Sequence, residues 1–241
     1  MRPVLICTHA RDAPPNLLTR ALGDGGLEIR EANLQRDDAL PALDDVSAMV
    51  SFGGQMSVLD IDRFPFLVAE RSLLAAAVAA GVPVLGVCLG SQLLASATGG
   101  DVVRLPERFV AFPELVREPG ADDDALFAGL PEGMQVIEWH EDAVVAPPRS
   151  IALAETVCHG RSVYRIGPSA WGTQIHLELD ARALEAVLED PSEIAQLVES
   201  GVDPAWFAAT GARVLVEQAR LSEPILARFV AFVVARERAA G

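Results

Sequence analysis

The stretch Val82-Pro83-Val84-Leu85-Gly86-Val87-Cys88-Leu89-Gly90-Ser91-Gln92 decides how this chain reads. Val82 to Val87 is a continuous apolar run, the kind a strand needs when both faces of a parallel sheet are covered. Leu89 to Ala97 has helix-forming composition and stops at Gly99-Gly100. A strand that turns sharply into a helix leaves little room for side chains two residues either side of the turn. Gly86 and Gly90 therefore have a steric reason to flank Cys88. The start of the helix would set unpaired N–H groups and a positive dipole end beside the sulfur, which favours the reactive thiolate. The N–H of Leu89 would face the oxygen of any carbonyl attacked there. Gln92, one helical turn on, shares the face of Cys88. The plainer reading is a small buried thiol, which describes most free cysteines, but it gives no reason for the paired glycines.

Moving outward, short apolar runs alternate with helix-like segments through the first hundred residues. Pro3–Cys7, Leu27–Glu31 and Val46–Phe52 read as strands, the last ended by Gly53-Gly54. Pro14–Leu22 reads as a helix stopped by Gly23, and Phe64–Ala80 as a helix closed by Gly81. This alternation predicts an α/β fold, a doubly wound and mostly parallel sheet. From Asp101 to Leu177 the pattern changes to short β-like runs between Pro, Gly and acidic turns: Val102-Val103, Phe109–Phe112, Met134–Trp139, Ala143–Ala146, Ile151–Thr156, Ser162–Ile166 and Ala170–Leu177. These predict an antiparallel extension beside the parallel sheet. From about residue 180 to 241 the chain reads as helical, with Pro191, Pro204 and Pro224 as breaks. No linker divides it, so residues 1–241 are expected to form a single domain.

Composition excludes several functions. The net charge of −15 makes nucleic acid and anionic membrane surfaces poor partners. All 19 basic residues are arginines, which rules out Schiff-base chemistry and a P-loop lysine. Three cysteines, Cys7, Cys88 and Cys158, have no short spacing, so reduced thiols are expected rather than disulfides or a metal cluster. Val4–Cys7 is too short for a signal peptide, and residues 73–88, interrupted by Gly81 and Pro83, fall short of a membrane span. A cytoplasmic location without membrane attachment is the expectation.

A thiol nucleophile needs an oriented histidine. His9 follows the first strand and His159 lies in a polar loop, so both read as surface residues; His140 ends a strand and could be structural or line a pocket. In Gln174-Ile175-His176-Leu177-Glu178, strand alternation would place Glu178 beside His176 on one face. Glu178 could then accept a ring N–H and leave the other nitrogen for Cys88. A solvated strand face with an incidental ion pair is the alternative, and the upstream elbow tips the balance toward a triad.

These motifs resemble the class I, triad-type glutamine amidotransferases. That family carries a Gly-x-Cys-x-Gly-x-Gln elbow, matched by residues 86–92, and a Gln-x-His-Pro-Glu segment, matched by residues 174–178. Its glycine loop after the third strand is matched by Ser51-Phe52-Gly53-Gly54-Gln55-Met56-Ser57-Val58. Trp139-His140-Glu141-Asp142 looks like the His-x-Asp segment of free-standing members similar to the glutaminase part of GMP synthase. The resemblance is carried by residues 45–180 and implies one fold for the whole chain.

The resemblance implies a flavodoxin-like fold, with Cys88 as nucleophile, His176 as general acid/base and Glu178 as its orienting partner. Gly53, Gly54 and Leu89 would supply oxyanion N–H groups, Gln92 would help hold the substrate, and Gln55 and His140 would lie at the pocket. The implied reaction is hydrolysis of the L-glutamine side-chain amide through a Cys88 thioester, with no cofactor or metal, and delivery of ammonia to a partner synthetase or transferase. Another γ-glutamyl amide or peptide is the alternative substrate, and an inactive scaffold a third reading. Gln55 and Leu177 stand where the family usually has proline, and Phe109–Glu114 lacks its usual Glu-x-Gly pattern. Those departures bear on the substrate rather than on the triad.

Overall fold

The computed structural model describes residues 1–10, 16–156 and 160–240. In chain order the elements are β1 (Val4–Thr8), α1 (Leu17–Asp24), β2 (Ile29–Asn33), β3 (Ala48–Ser51), α2 (Phe66–Ala80), β4 (Val84–Val87), α3 (Leu89–Ala97), β5 (Asp101–Ala111) and β6 (Leu115–Arg117). There follow β7 (Glu138–Val145), β8 (Ile151–Thr156), β9 (Gly160–Ile166), β10 (Ala170–Thr173), α4 (Ala181–Leu188), α5 (Pro191–Glu199) and α6 (Pro204–Ala240).

Eight strands form one sheet in the order β2-β1-β3-β4-β10-β9-β8-β6. The pairs from β2 through β10 are parallel, and β9, β8 and β6 continue the sheet antiparallel. The order β2-β1-β3-β4 is the flavodoxin-like one, with its direction reversing at β1. β5 and β7 form a separate antiparallel pair with an irregularity between Arg104 and Phe109.

All five residues of β1 are buried, as expected for a strand with helices on both faces. Its side chains divide by alternation: Val4 and Ile6 pack with α1 and α6, Leu5 and Cys7 with α2 and α3. A third apolar cluster joins α4, α5 and the first half of α6 through Leu184, Leu197, Phe207 and Val214, with Phe112 and Ile137.

The α/β class, the mainly parallel sheet, the antiparallel extension and the helical C-terminal region agree with the sequence reading, but several boundaries move. The helix expected to stop at Gly23 runs to Asp24, because the Gly25 N–H caps it on the Ala21 carbonyl at 3.0 Å. Its expected first residues, Pro14 and Pro15, and the two residues Cys158 and His159 lie outside the described residues. The runs at Val102 and Phe109 belong to one strand, since the irregularity lets the ladder resume. Pro224 does not end a helix: α6 continues through it, Pro224 lacking only the N–H it would have given to Arg220. The strand expected over Ala170–Leu177 stops at Thr173. The Thr173 hydroxyl bonds Ile175 locally through both its N–H and its carbonyl, each at 3.1 Å, and such side-chain turns compete with a ladder.

Candidate active site

Four parallel strands, β1, β3, β4 and β10, end on one side of the sheet, and a cavity of about 450 Å³ opens there. This is the crevice at the carboxyl ends of strands where open α/β sheets bind ligands. Thr8, Phe52, Gly53, Cys88, His176 and Glu178 all line it.

Cys88 joins β4 to α3 with φ 51° and ψ −108°. A side chain in this left-handed region is strained, by roughly 1–3 kcal/mol, and persists only where surrounding structure enforces it. The enforcement is visible on both sides. The Cys88 N–H donates to the Thr173 carbonyl at 2.8 Å, and the Gly90 N–H to the Phe52 carbonyl at 3.2 Å. A Cβ added to Gly86 would lie 2.6 Å from the Gly90 carbonyl oxygen, and one added to Gly90 only 2.0 Å from the Ser51 carbonyl oxygen. Both glycines are therefore required by close backbone approach, as the flanking pattern suggested.

The Gln174 amide nitrogen lies 3.5 Å from the Cys88 sulfur, and the Trp139 carbonyl oxygen lies 3.7 Å from it. The imidazole of His176 meets the same thiol over Gly53: a Cβ there would sit 3.3 Å from His176 Cε1, 3.4 Å from Cys88 Cβ and 3.9 Å from its sulfur. His176 Nδ1 is 2.8 Å from Glu178 Oε1. The pairing expected from strand alternation thus forms off the strand, in the turn after β10. That turn is fixed by hydrogen bonds: the His176 N–H donates to the Ile137 carbonyl at 3.3 Å. Gln218 of α6, fully buried, donates to the His176 carbonyl at 2.7 Å and accepts from the Ile137 N–H at 2.9 Å.

Burial, the largest influence on His176, pulls its pKa down. The charges of Glu178 and Cys88, with hydrogen bonds to both, outweigh it and hold the imidazole well above its ordinary value. At neutral pH the site therefore favours an imidazolium beside the sulfur.

Leu89 opens α3, and its N–H, in the first helical turn, has no intrahelical acceptor. Gly54 packs so closely on His9 that an added Cβ would lie 2.5 Å from the His9 Cβ. Gln92 is buried and its amide donates to the Asp142 carbonyl at 3.1 Å, which ties α3 to β7. Gln55 turns from the glycine loop to α5, donating to Ser192 Oγ at 2.9 Å and Glu193 Oε1 at 2.7 Å. His140 is buried on the cavity wall, 3.4 Å from Glu138 Oε2.

Other cavity residues carry no local sequence signal. Arg108, on β5, is the one arginine among the described residues that line it; it pairs with Glu141 at 3.2 Å, and Glu193 lines the same cavity within reach of its charge. Behind the lining, Gln174 is the first residue of the 174–178 motif, and Gln218 sits in a mixed helical stretch, between Glu217 and Arg220, that does not single it out. His9, expected at the surface, is 1% exposed and lies 2.7 Å from the buried carboxylate of Glu70. The partner that buries it is far away in sequence.

Fold and site together define an α/β protein with a cysteine elbow at the carboxyl end of its sheet. The class-I glutamine amidotransferase family matches residues 17–190, and the chain belongs to that family. It is a glutamine amidotransferase enzyme related to the glutaminase part of GMP synthase. It is 30% identical over 171 residues to the glutamine amidotransferase-like protein YfeJ of Salmonella typhimurium, covering 69% of this chain and 71% of that one. It is also 30% identical over 170 residues to one subunit of the glutamine-hydrolysing GMP synthase of Sulfolobus acidocaldarius, covering 68% and 83%. The fold superposes on the crystal structure of a glutamine amidotransferase from Thermotoga maritima with a TM-score of 0.84 at 23% identity, over 95% of this chain and 98% of that one. Among the described residues no helix is long and apolar enough to cross a membrane.

Proposed function

We propose that the protein hydrolyses the side-chain amide of L-glutamine to glutamate and ammonia, using Cys88, His176 and Glu178. The observation that carries this is the meeting of His176 and Cys88 over Gly53, with the imidazole held by Glu178 at 2.8 Å. The Cys88 thiolate adds to the amide carbon, and the oxygen takes up the negative charge, facing N–H groups of Leu89 and the Gly53-Gly54 loop. The His176 imidazolium gives its proton to the departing nitrogen, which leaves as ammonia. Neutral His176 then takes a proton from water, whose oxygen attacks the γ-glutamyl thioester and releases glutamate. Glu178, 2.8 Å from Nδ1, orients the ring and stabilises the imidazolium. Arg108 and Glu193, of opposite charge on the cavity lining, suit the α-carboxylate and α-ammonium of an amino acid. Ammonia is useful only at an acceptor, so a separate synthetase or transferase chain is the proposed partner. The related GMP synthase of Sulfolobus acidocaldarius is divided into subunits in that way.

Cys88→Ser keeps the shape of the elbow and should lower glutamate release by about 10⁴-fold or more. Release at the wild-type rate would overturn the assignment. One observation favours a second substrate class: about 450 Å³ is more than a single amino acid fills and falls in the range of roughly 300–1,000 Å³ typical of larger ligands. Comparing kcat/KM for glutamine, γ-glutamyl dipeptides and α-N-acetylglutamine separates the readings. Preference for the dipeptides would replace glutamine with a γ-glutamyl peptide, and equal use of the acetylated compound would remove Glu193 from recognition.

A further inference from the structure

One fully buried acidic side chain takes no part in the chemistry above. Glu70 lies on α2 with its side chain fully excluded from solvent. A carboxylate so placed is costly unless donors surround it, and here they come from two strand ends. Ser51, the last residue of β3, donates its hydroxyl to Glu70 Oε1 at 2.7 Å. His9, just after β1, lies with Nε2 2.7 Å from Glu70 Oε2. The Cys7 thiol is pushed well above its ordinary pKa, by burial first and then by the influence of Glu70, which keeps it protonated. An ionised carboxylate only accepts, which assigns His9 its proton on Nε2. Its Nδ1 is then a bare lone pair. That agrees with Nδ1 being buried and without a partner among the described residues, since an unpaired acceptor is tolerated better than an unpaired N–H.

These contacts converge on the glycine loop from beneath. Ser51 is held by Glu70, and the Phe52 N–H donates to the Cys7 carbonyl at 3.1 Å. The Phe52 carbonyl accepts from the Gly90 N–H at 3.2 Å, and Gly54 rests on His9. Gly53, the residue against Cys88 and His176, is thus pinned on both sides. We infer that Ser51, Glu70 and His9 form a buried brace that fixes the Gly53-Gly54 peptides in position for amide attack, acting as positioning residues rather than as groups that touch substrate. The inference rests on the reading of that loop as an oxyanion site given above.

The test uses the full chain carrying Ser51→Ala or Glu70→Gln. The glutamine side chain keeps an acceptor for Ser51, but its NH2 cannot accept the His9 N–H. Each variant should lose kcat for glutamine by roughly tenfold or more, up to the 10²–10³ that a missing oxyanion donor costs, while KM changes by less than about threefold. Alkylation of Cys88 by iodoacetamide, a substitution at saturated carbon that forms no oxyanion, should keep its wild-type rate. Nitrogen-15 relaxation should show Gly53 and Gly54 falling from the order of rigid backbone, about 0.85, toward that of a flexible segment, below about 0.6. A parallel loss of kcat and alkylation would mean that the elbow itself had been deformed, and would overturn the brace. Unchanged kcat with unchanged order at both glycines would overturn it as well. A wild-type protein inactive toward glutamine would sink the proposed substrate only, because the relaxation comparison still decides whether the brace orders the loop. Should Glu70→Gln not fold, Ser51→Ala removes a single hydroxyl and carries the test.

Discussion

The turn that carries Cys88 and the turn that carries His176 meet over one glycine, yet they are built differently. Cys88 stands between a regular strand and a regular helix, and the backbone crowds Gly86 and Gly90 so closely that no other residue fits. His176 stands in irregular chain after β10, and side-chain bonds to Thr173, Gln218 and Glu178 hold that segment. Steric exclusion leaves a mark in the local sequence. Long-range hydrogen bonding leaves almost none.

Breaking the elbow should have the largest effect. Gly90→Ala would push a methyl group against the Ser51 carbonyl, at a position where α3, β3 and the strained Cys88 leave no slack. The expected cost is above about 4 kcal/mol, the exceptional end of single substitutions, seen as a collapse of the melting temperature or of soluble yield. A melt like the wild type would show that the backbone can yield there, and would end the contrast between the two turns.

The His176 turn should break by a different route and at lower cost. Gln218→Met replaces a buried amide with a side chain of similar length, leaving the Ile137 N–H and the His176 carbonyl without their partner. Each unpaired buried group costs about 1–3 kcal/mol. A displaced imidazole should lower kcat by about 10- to 100-fold and slow iodoacetamide alkylation of Cys88 with it, because the thiolate loses its cationic neighbour. An unchanged kcat would mean that the turn holds without α6.

The charge on His176 gives a finer test. Its raised pKa means that the imidazolium contributes stability fully below the ordinary histidine value of about 6.5, and that this contribution is lost as pH rises through the folded value. The rate should fall over the same alkaline interval as the ring loses its proton. Glu178→Gln removes the leading upward influence, so the alkaline limb of kcat/KM should move toward lower pH. Melting temperatures of the two proteins should converge at high pH. A limb that stays in place would show that Glu178 orients the ring without tuning it.

The same contrast explains what can be read in the sequence. The parallel half is legible because apolar strands and glycine stops are local signals, and the elbow because two glycines bracket one cysteine. The segment from residue 174 to 178 reads as a strand; Thr173 ends that strand by bonding Ile175, and His176 meets Glu178 across a turn instead. His9 reads as exposed because nothing near it announces Glu70, which approaches from α2. Pro224 reads as a break, yet one missing N–H does not stop a helix whose apolar face is buried against the sheet.

Gly23 gives the smallest effect and the sharpest control on the steric half of the comparison. It looks like a helix stop in the sequence, but it lies inside α1, exposed, with nothing within 4 Å of an added Cβ. Its backbone is helical, so alanine adopts the same conformation without strain while narrowing the unfolded ensemble. Gly23→Ala should therefore stabilise the protein by about 0.4–1 kcal/mol, raising the melting temperature slightly with kcat and KM unchanged. A destabilised variant would mean that α1 needs glycine freedom at that turn after all. Glycines would then be a poor guide to crowding in this fold, and the case for Gly86 and Gly90 would rest on their contacts alone.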